Sequence, residues 1–267
     1  MSVREVSKYG NKMPDDEYEY FLLYSHLNKF VNKLMRTEKF IQNMLKKYNP
    51  YVAFSGGKDS WVVLHIILKY RPDIPIMFAN SGNEYPDTLN FINYVTDKYN
   101  LNLYEIEVSE SMTDIYNKVG AYQFKSTDET WANLEPKRVL IYEPADEMKK
   151  MGYDSVIMGL RSDESKGRAY NTKKNGAEYF CKYDDIIHLN PMAYWNIDDI
   201  WAYIVQCGIP YNKIYDKPWK NGRKDIRVAT YAGRTSITEG RWLFLKLFYP
   251  EMWNEFVKKF PMAGGFV

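Results

Sequence analysis

A strand, a glycine turn and a helix follow one another without interruption between positions 51 and 70. The apolar run Tyr51 to Phe54 predicts a buried strand, Ser-Gly-Gly-Lys-Asp-Ser occupies positions 55–60, and Trp61 to Tyr70 is strongly helical. Two adjacent glycines let the backbone turn sharply and approach a ligand, and the free amides of the first helical turn then face the space above the strand. Such a place binds phosphate or pyrophosphate. An ordinary strand-to-helix turn with an Asp or Ser N-cap explains one glycine and one cap, but not the whole hexapeptide.

The polar side chains of the hexapeptide suit the same chemistry. Lys58 adds a mobile positive charge, and Ser55 and Ser60 add hydroxyl donors. Asp59 can orient a backbone amide or help to hold Mg²⁺. The spacing differs from that of the Walker loop, in which four residues separate the first glycine from Gly-Lys-Ser/Thr. The sequence therefore predicts a phosphate-binding loop of another kind, with Lys58 and Asp59 as catalytic candidates and Asp59 as the candidate metal ligand.

Strands and helices alternate along the chain and predict an α/β fold. Apolar runs predict further strands at 74–79, 101–108, 155–158 and 186–189. Helices are predicted over 15–47, 61–70, 86–100, 144–151, 196–207, 238–248 and 250–260. This order implies right-handed crossovers and a mainly parallel, twisted, Rossmann-like sheet flanked by helices, with helical additions at both termini. We expect an N-terminal helical segment over 1–48, an α/β core over 49–211, and a basic loop with C-terminal helices over 212–267 that pack on the core.

Three polar segments each begin where an apolar strand ends. They cover positions 55–60, 80–88 and 159–168. Ligands of parallel sheets bind beyond the carboxyl ends of the strands. These segments should therefore meet in one cleft, although they lie far apart in the sequence.

The second segment begins with Asn80, Ser81 and Gly82. In a nucleotide-binding fold this edge would contact the adenine or the ribose, and Gly82 would allow a close approach. The alternative is a simple strand-end turn before a helix that starts at Pro86.

Two arginines flank Ser162 to Gly167, a stretch that we expect to be flexible. Guanidinium groups bind phosphate or sulfate through paired hydrogen bonds, so Arg161, Arg168 or both could clamp a leaving pyrophosphate or a terminal phosphate. Glu164 could orient one of them. A solvated charged loop is the alternative, and Arg161 is the stronger functional candidate because it directly follows the strand.

These segments also carry a family resemblance. Ser55 to Ser60 resembles the pyrophosphate loop of the adenine nucleotide alpha hydrolase superfamily, whose members cleave or exchange ATP between its alpha and beta phosphates. Asn80 to Thr88 resembles the Thr-Gly-x-x-Phe-Pro-Glu-Thr segment of the phosphoadenylylsulfate (PAPS) reductase family, and Gly159 to Arg168 resembles its Gly-x-Arg-x-x-Glu-Ser-x-x-Arg segment. Its later pattern is matched by Asn190-Pro191-Met192, Trp195, Asp199-Ile200-Trp201 and Ile209-Pro210-Tyr211-Asn212. Together the matches cover roughly residues 50 to 216.

The resemblance implies an adenine nucleotide alpha hydrolase-like fold that binds ATP or a PAPS-like adenine nucleotide, with Mg²⁺. Lys58, Asp59 and Arg161 would be catalytic. The nucleotide-binding residues would be Ala53, Phe54, Ser55, Gly56, Gly57, Lys58, Asp59, Ser60, Asn80, Ser81, Gly82, Gly159, Leu160, Arg161, Glu164 and Arg168.

The cysteines depart from the family pattern. PAPS reductases release sulfite through a cysteine near the C-terminus, in a Glu-Cys-Gly-Leu-His segment, whereas Phe260 to Val267 contains none. The iron–sulfur cysteines of adenylylsulfate reductases are also missing, so we expect no iron–sulfur cluster. Lys182 could lower the pKa of the Cys181 thiol, but a lone thiol is usually structural, and Cys207 suits packing. The nucleotide-binding half of the family pattern is therefore intact, while its thiol half is absent.

Composition excludes several other classes of function. The formal charge is +2 and no long basic run occurs, which argues against a purely electrostatic DNA binder and leaves only a local basic patch for nucleic acid. No apolar stretch approaches the roughly 20 residues that span a bilayer, and positions 1–16 lack the apolar region of a signal peptide. With two cysteines, a cytoplasmic protein is expected.

No Cys, His and carboxylate residues show metal-ligand spacing. His65 lies within an apolar helix and is more typical of a core residue than of a base.

We therefore expect an enzyme that binds an adenine nucleotide and transfers its adenylyl group to an unknown small-molecule acceptor, with release of pyrophosphate. The basic stretch 212–236 would border the acceptor pocket. A thiol-dependent PAPS reductase and a non-catalytic nucleotide-binding module are the alternatives.

Overall fold

The computed structural model of the protein describes residues 2–118, 135–220, 222–228, 231 and 240–267. A small antiparallel hairpin, β1 (Val3–Glu5) and β2 (Lys12–Pro14), precedes the helices α1 (Asp15–Ser25) and α2 (Asn28–Lys47). The first half of the core contains β3 (Pro50–Ala53), α3 (Lys58–Leu68), β4 (Pro75–Asn80), α4 (Pro86–Tyr99), β5 (Asn102–Glu107) and α5 (Met112–Lys118). The second half contains α6 (Glu143–Lys150), β6 (Ser155–Ile157), α7 (Lys166–Asn175), β7 (Glu178–Cys181), β8 (Ile186–Leu189) and α8 (Ile197–Cys207). The chain continues to α9 (Arg241–Phe248) and α10 (Pro250–Lys259).

Six strands form one sheet in the order β5-β4-β3-β6-β8-β7. The first five run parallel, and β7 pairs antiparallel with β8 at the edge. Helices flank the sheet, which confirms the predicted α/β fold. Because β4, β3 and β6 are neighbours, their carboxyl ends lie side by side and bring the three polar segments together.

The predicted single helix over 15–47 is wrong: the chain forms two helices, with Leu27 in an extended conformation between them. The amides of His26 and Leu27 bond to carbonyl groups only three residues back, which tightens and ends α1. The hydroxyl of Ser25 donates to the carbonyl of Leu22 at 2.6 Å. Ser and Asn compete with helical backbone bonds in this way. Because the apolar residues on both sides keep helical spacing, the sequence pattern does not reveal the break.

The sequence also missed the short strands at the edges. The hairpin β1–β2 and the edge strand β7 have few residues each and no clear alternation of apolar and polar residues. By contrast, α8 begins and ends as predicted, since the side chain of Asn196 accepts from the amide of Asp199 and Gly208 adopts a φ of +58° after the last turn.

The main hydrophobic core is continuous through the three expected segments. It includes Phe30 before the sheet, Trp61 on α3, Trp201 on α8 and Phe256 on α10, all at most 4% exposed. The expected boundaries at 48 and 211 therefore do not separate three hydrophobic cores. The division of the chain into three segments stays a prediction. Within the described ranges, no helix has both the length and the apolar character needed to cross a bilayer.

Candidate functional site

The glycine loop connects the end of β3 to the start of α3. Gly56 has a φ of +67°, a conformation that favours glycine. A Cβ atom at Gly56 would lie 2.8 Å from the Thr88 Cγ2 atom, and one at Gly57 would lie 2.9 Å from the Val228 Cγ2 atom. Both glycines are thus required by close packing against residues distant in sequence.

Hydrogen bonds fix the shape of this loop. The amide of Ser55 donates to the Ser60 Oγ atom at 3.2 Å. The side-chain amide of Asn212 donates to the Gly56 carbonyl at 3.2 Å. The backbone amide of Lys58 donates to the Tyr215 hydroxyl at 3.2 Å. The stretch after α8 therefore holds the loop in place.

A buried cluster of charges lies at the first turn of α3. The Asp59 carboxylate accepts from the Lys58 Nζ atom at 2.9 Å and from the Arg161 Nε atom at 2.6 Å, while the Arg161 Nη1 atom lies 2.5 Å from Asp163. The side chains of Lys58 and Arg161 are 2% exposed. Burial alone would raise the pKa of Asp59, but the charges of Lys58 and Arg161 outweigh it and hold that pKa below its ordinary value.

This cluster changes the roles expected from the sequence. Lys58 is not a mobile charge, because it is buried against Asp59 and faces the Tyr215 ring. Both oxygens of Asp59 already accept from cations, so any metal ion would have to use their second lone pairs. Arg161 does not line the cavity, and its guanidinium orients Asp59.

A cavity of about 810 Å³ lies at the carboxyl ends of the parallel strands. All three polar segments contribute to its lining, as expected. The predicted residues on its wall are Ala53, Phe54, Ser55, Gly57, Lys58, Asp59, Ser60, Ser81, Gly159, Leu160, Glu164 and Arg168. Four predicted residues lie outside that lining: Gly56, Asn80, Gly82 and Arg161. The Asn80 side chain instead accepts from the Gly82 amide at 3.0 Å and donates to Glu105 at 2.7 Å, as in a simple strand-end turn.

The stretch 162–167, expected to be flexible, is an ordered connection. A short 3₁₀ turn, Ser162–Glu164, leads into α7, where the Ser165 hydroxyl accepts from the Arg168 amide at 3.1 Å. Glu164 accepts from the backbone amide of Arg161 at 2.9 Å and pairs with the Arg168 guanidinium, so it does orient an arginine. The capping hydroxyl and the ion pair explain why this charged stretch is ordered.

The sequence predicted that the stretch 212–236 borders the pocket, but it did not identify the individual residues of the wall that follows α8. Tyr215, Trp219, Arg227, Arg241 and Phe244 all line the cavity. The matching Ile-Pro-Tyr-Asn segment just before them was the available signal. It places Asn212 against the loop, so the following residues reach the cavity.

The stretch 212–236 reaches the cavity wall, but most of its described basic side chains do not. Among its described residues, Arg227 is the cation on the wall. Arg223 is buried and pairs with Glu17 and Asp216, and Lys224 pairs with Asp198. Arg234 lies outside the described residues.

Cys181 and Cys207, both within the described residues, do not line the cavity. The suggestion that Lys182 lowers the pKa of the Cys181 thiol is wrong, because burial and the neighbouring Asp184 carboxylate raise it. The pKa of Cys207 is also raised, because neighbouring groups partly remove its thiol from water although the residue as a whole is exposed. Neither thiol has the low pKa of an activated nucleophile.

His65 gives a measurable pH dependence. Its Nδ1 atom lies 3.0 Å from the Tyr203 hydroxyl, and burial lowers its pKa from 6.5 to about 4. The unfolded chain therefore takes up this proton first as the pH falls, and stability decreases between pH 6.5 and about 4. We expect His65 to account for a loss of at most about 3 kcal/mol over this window. Urea unfolding of wild type and His65→Gln at several pH values checks this prediction. The variant should lack the part of the decrease in the free energy of unfolding that His65 causes. An equal decrease with pH in both proteins would contradict the prediction.

The sequence profile of the phosphoadenosine phosphosulfate reductase domain matches residues 49–228. The chain belongs to this family. PAPS reductase of Buchnera aphidicola is 26% identical over 177 residues, which cover 65% of this chain and 68% of that protein. An uncharacterized protein of Methanocaldococcus jannaschii is 27% identical over 249 residues, 90% of this chain, and the chain spans 56% of that protein's length. The chain spans 46% of the length of a second uncharacterized protein from the same organism. It therefore corresponds to about half of each of these two relatives.

Solved structures agree with the PAPS reductase family fold. PAPS reductase from Candida auris, in a phosphate complex, superposes with a TM-score of 0.55 at 19% identity, over 82% of this chain and 96% of that one. FMN adenylyltransferase from Candida glabrata in complex with ATP superposes with a TM-score of 0.51 at 16% identity, over 74% of this chain and 65% of that one. The fold is therefore shared by a reductase and by a transferase.

Proposed function

We propose that this PAPS reductase-like chain binds ATP in the cavity and transfers its adenylyl group to a small-molecule acceptor. The observation that carries the proposal is a glycine loop on the wall of a cavity that neither of the chain's two cysteines lines. A reductase needs a thiol at the nucleotide, whereas adenylyl transfer needs only positioned phosphates and an acceptor. The fold neighbour that transfers an adenylyl group supports the same interpretation.

The cavity has the size and composition for a nucleotide. Its volume of about 810 Å³ lies within the usual range for small-molecule sites. Phe54, Tyr85 and Trp219 offer apolar surface for a base or an aromatic acceptor, and Arg168 and Arg227 offer guanidinium groups for phosphate. Glycine-loop backbone and cationic side chains thus face the same space.

In the reaction, an acceptor atom attacks the alpha phosphorus and forms a new bond to it. The bond from that phosphorus to the bridging oxygen breaks, and the electron pair leaves with pyrophosphate. The loop and the arginines would hold the phosphates in line and stabilise the charge that develops on them. Mg²⁺ bound with the nucleotide would neutralise further charge, with Asp59 as its candidate protein ligand. The acceptor is a carboxylate, an amide oxygen or a sulfur-bearing group.

Incubation with ATP, PAPS and adenylylsulfate in turn separates the possible functions. We expect pyrophosphate from ATP with a panel of the three acceptor classes, and no sulfite from PAPS in the presence of thioredoxin and reductant. A Cys181→Ser, Cys207→Ser double variant that folds should keep this activity, because no thiol takes part in the transfer. Gly57→Val should abolish ATP binding in calorimetry, since its side chain would meet Val228 and Ser55.

Two results would contradict the proposal. Sulfite release from PAPS that disappears in the double cysteine variant would identify a reductase, as the names of several family relatives suggest. ATP binding without release of pyrophosphate with any acceptor class would identify a non-catalytic nucleotide-binding module.

A further inference from the structure

Three metal-ligating side chains meet at the β7–β8 hairpin. One ligand atom from each of Cys181, Asp184 and His188 lies within 4.8 Å of the other two. Cys181 ends β7, Asp184 lies in the turn and His188 lies in β8. Since β8 runs parallel to β6 and the turn precedes it, the cluster lies towards the amino ends of the parallel strands. The cavity is at their carboxyl ends, so the two sites are separate.

Asp184 is at the centre of the cluster. Its Oδ2 atom lies 2.7 Å from the His188 Nε2 atom, and its side chain is 1% exposed. Its Oδ1 atom is buried and has no hydrogen-bond partner among the residues that the structure describes. A buried carboxylate oxygen without a partner is costly, and a cation would satisfy it.

The surroundings fix the ligands in place. The His188 Nδ1 atom lies 3.2 Å from the hydroxyl of Tyr179, which lies opposite His188 in the hairpin. This contact leaves Nε2 facing the cluster, and metal-ligating histidines usually have their other ring nitrogen held in this way. The Lys149 Nζ atom donates to the backbone carbonyl of Asp184 at 2.8 Å and ties the turn to α6.

The arrangement does not suit a nucleophilic cysteine. In a Cys–His pair the imidazole must accept the thiol proton. Here both ring nitrogens of His188 face other groups, Asp184 and Tyr179. The Cys181 thiol faces the Asp184 carboxylate instead. The cluster therefore has the ligands of a metal site but not the geometry of a catalytic pair.

We propose that Cys181, Asp184 and His188 bind Zn²⁺, with water as the fourth ligand. Thiolate, imidazole and carboxylate are the ligands that zinc uses, and a thiolate selects zinc over Mg²⁺ or Ca²⁺. Ligand atoms of a tetrahedral zinc site lie about 3 to 4 Å apart, so the cluster needs only small shifts. The thiolate and the carboxylate balance the charge of the ion, and the thiol proton is released on binding. The ion would fix the edge hairpin of the sheet.

Metal binding by the untagged full chain tests this inference. After treatment with a chelator and dialysis, we expect the protein to bind one Zn²⁺ per chain, measured by elemental analysis and by competition with a chromogenic chelator. With Co²⁺ it should show a thiolate-to-cobalt charge-transfer band. Cys181→Ser should lose that band and bind Zn²⁺ at least about tenfold more weakly. Tyr179→Phe should keep the band but bind about tenfold more weakly, because it removes the hydroxyl that orients His188.

Cys207→Ser and His26→Gln are the matched controls, since both residues are exposed and lie outside the cluster. They should bind Zn²⁺ as wild type does. Equal zinc affinity in wild type and Cys181→Ser, or a cobalt complex without the thiolate band, would overturn the proposal. If Cys181→Ser does not fold, thermal unfolding of wild type decides: its midpoint should rise with added Zn²⁺, and an unchanged midpoint would also overturn the proposal.

Discussion

Gly159→Ala should remove ATP binding and lower the free energy of unfolding by about 3 kcal/mol, the upper part of the range for overpacking. A Cβ atom at this position would lie 2.6 Å from the carbonyl carbon of Asp59 and 2.7 Å from both the Asp59 oxygen and the Ser60 nitrogen. These are backbone atoms in the first turn of α3, which intrahelical hydrogen bonds hold in place. The chain after β6 would have to move away from the loop, and the cavity between them would change shape.

Gly167→Ala is the matched control for Gly159→Ala. Gly167 lies in α7, and a Cβ atom there would have the Ser165 Oγ atom as its nearest neighbour, at 3.9 Å. Alanine at this position should leave ATP binding unchanged and stabilise the protein by about 0.5 to 1 kcal/mol. Urea unfolding with isothermal calorimetry measures both quantities. Wild-type stability and ATP affinity in Gly159→Ala would show that this contact does not position the loop.

Asp59→Ala should lower the free energy of unfolding by about 3 to 5 kcal/mol, because it removes the carboxylate between two buried cations. Among the described residues, Asp59 is the carboxylate that pairs with Lys58. In the variant, Arg161 would keep only its ion pair with Asp163. Since the pKa of Asp59 lies below its ordinary 3.8, wild type should lose this stabilisation as the pH falls below 3.8 through the folded pKa. The difference between wild type and variant should therefore shrink in acid.

Chemical unfolding near neutral pH and in acid measures the effect of Asp59→Ala. Glu147→Ala, which ends an exposed ion pair with Lys150, is the control and should have no measurable effect. A Lys58→Met, Asp59→Ala double variant should recover part of the loss, since it no longer buries an unpaired ammonium group. A wild-type free energy of unfolding in Asp59→Ala would mean that the charge cluster is solvated.

The parts of the site that the sequence predicted are those fixed by local pattern and sheet topology. The loop at 55–60 is encoded by neighbouring residues, and parallel strands place their carboxyl ends at one edge. This is why Ser81 and Gly159, distant in sequence, both reach the cavity wall.

The parts that could not be predicted depend on which partner a side chain finds. The sequence places a guanidinium group at Arg161 after a strand, but only the packing of the segment after β6 against the first turn of α3 shows that it faces Asp59. Tyr215 and Trp219 belong to an irregular stretch, whose path no periodicity specifies. The Cys181, Asp184 and His188 cluster depends on a tight turn between two short strands, and its spacing matches no common metal motif.

The hydrogen bonds that join the loop to Asn212 and Tyr215 also affect the order in which the site can form. They join residues 156 and 157 positions apart. On the ribosome, the glycine loop is synthesised long before these partners emerge. Contacts between residues so far apart in the sequence also form slowly, because the long stretch of chain between them must close. The nascent chain can therefore build β3 and α3 early, but the ligand-ready loop is completed only after α8 has docked. We therefore expect an incomplete chain to bind nucleotide weakly until these partners have been made.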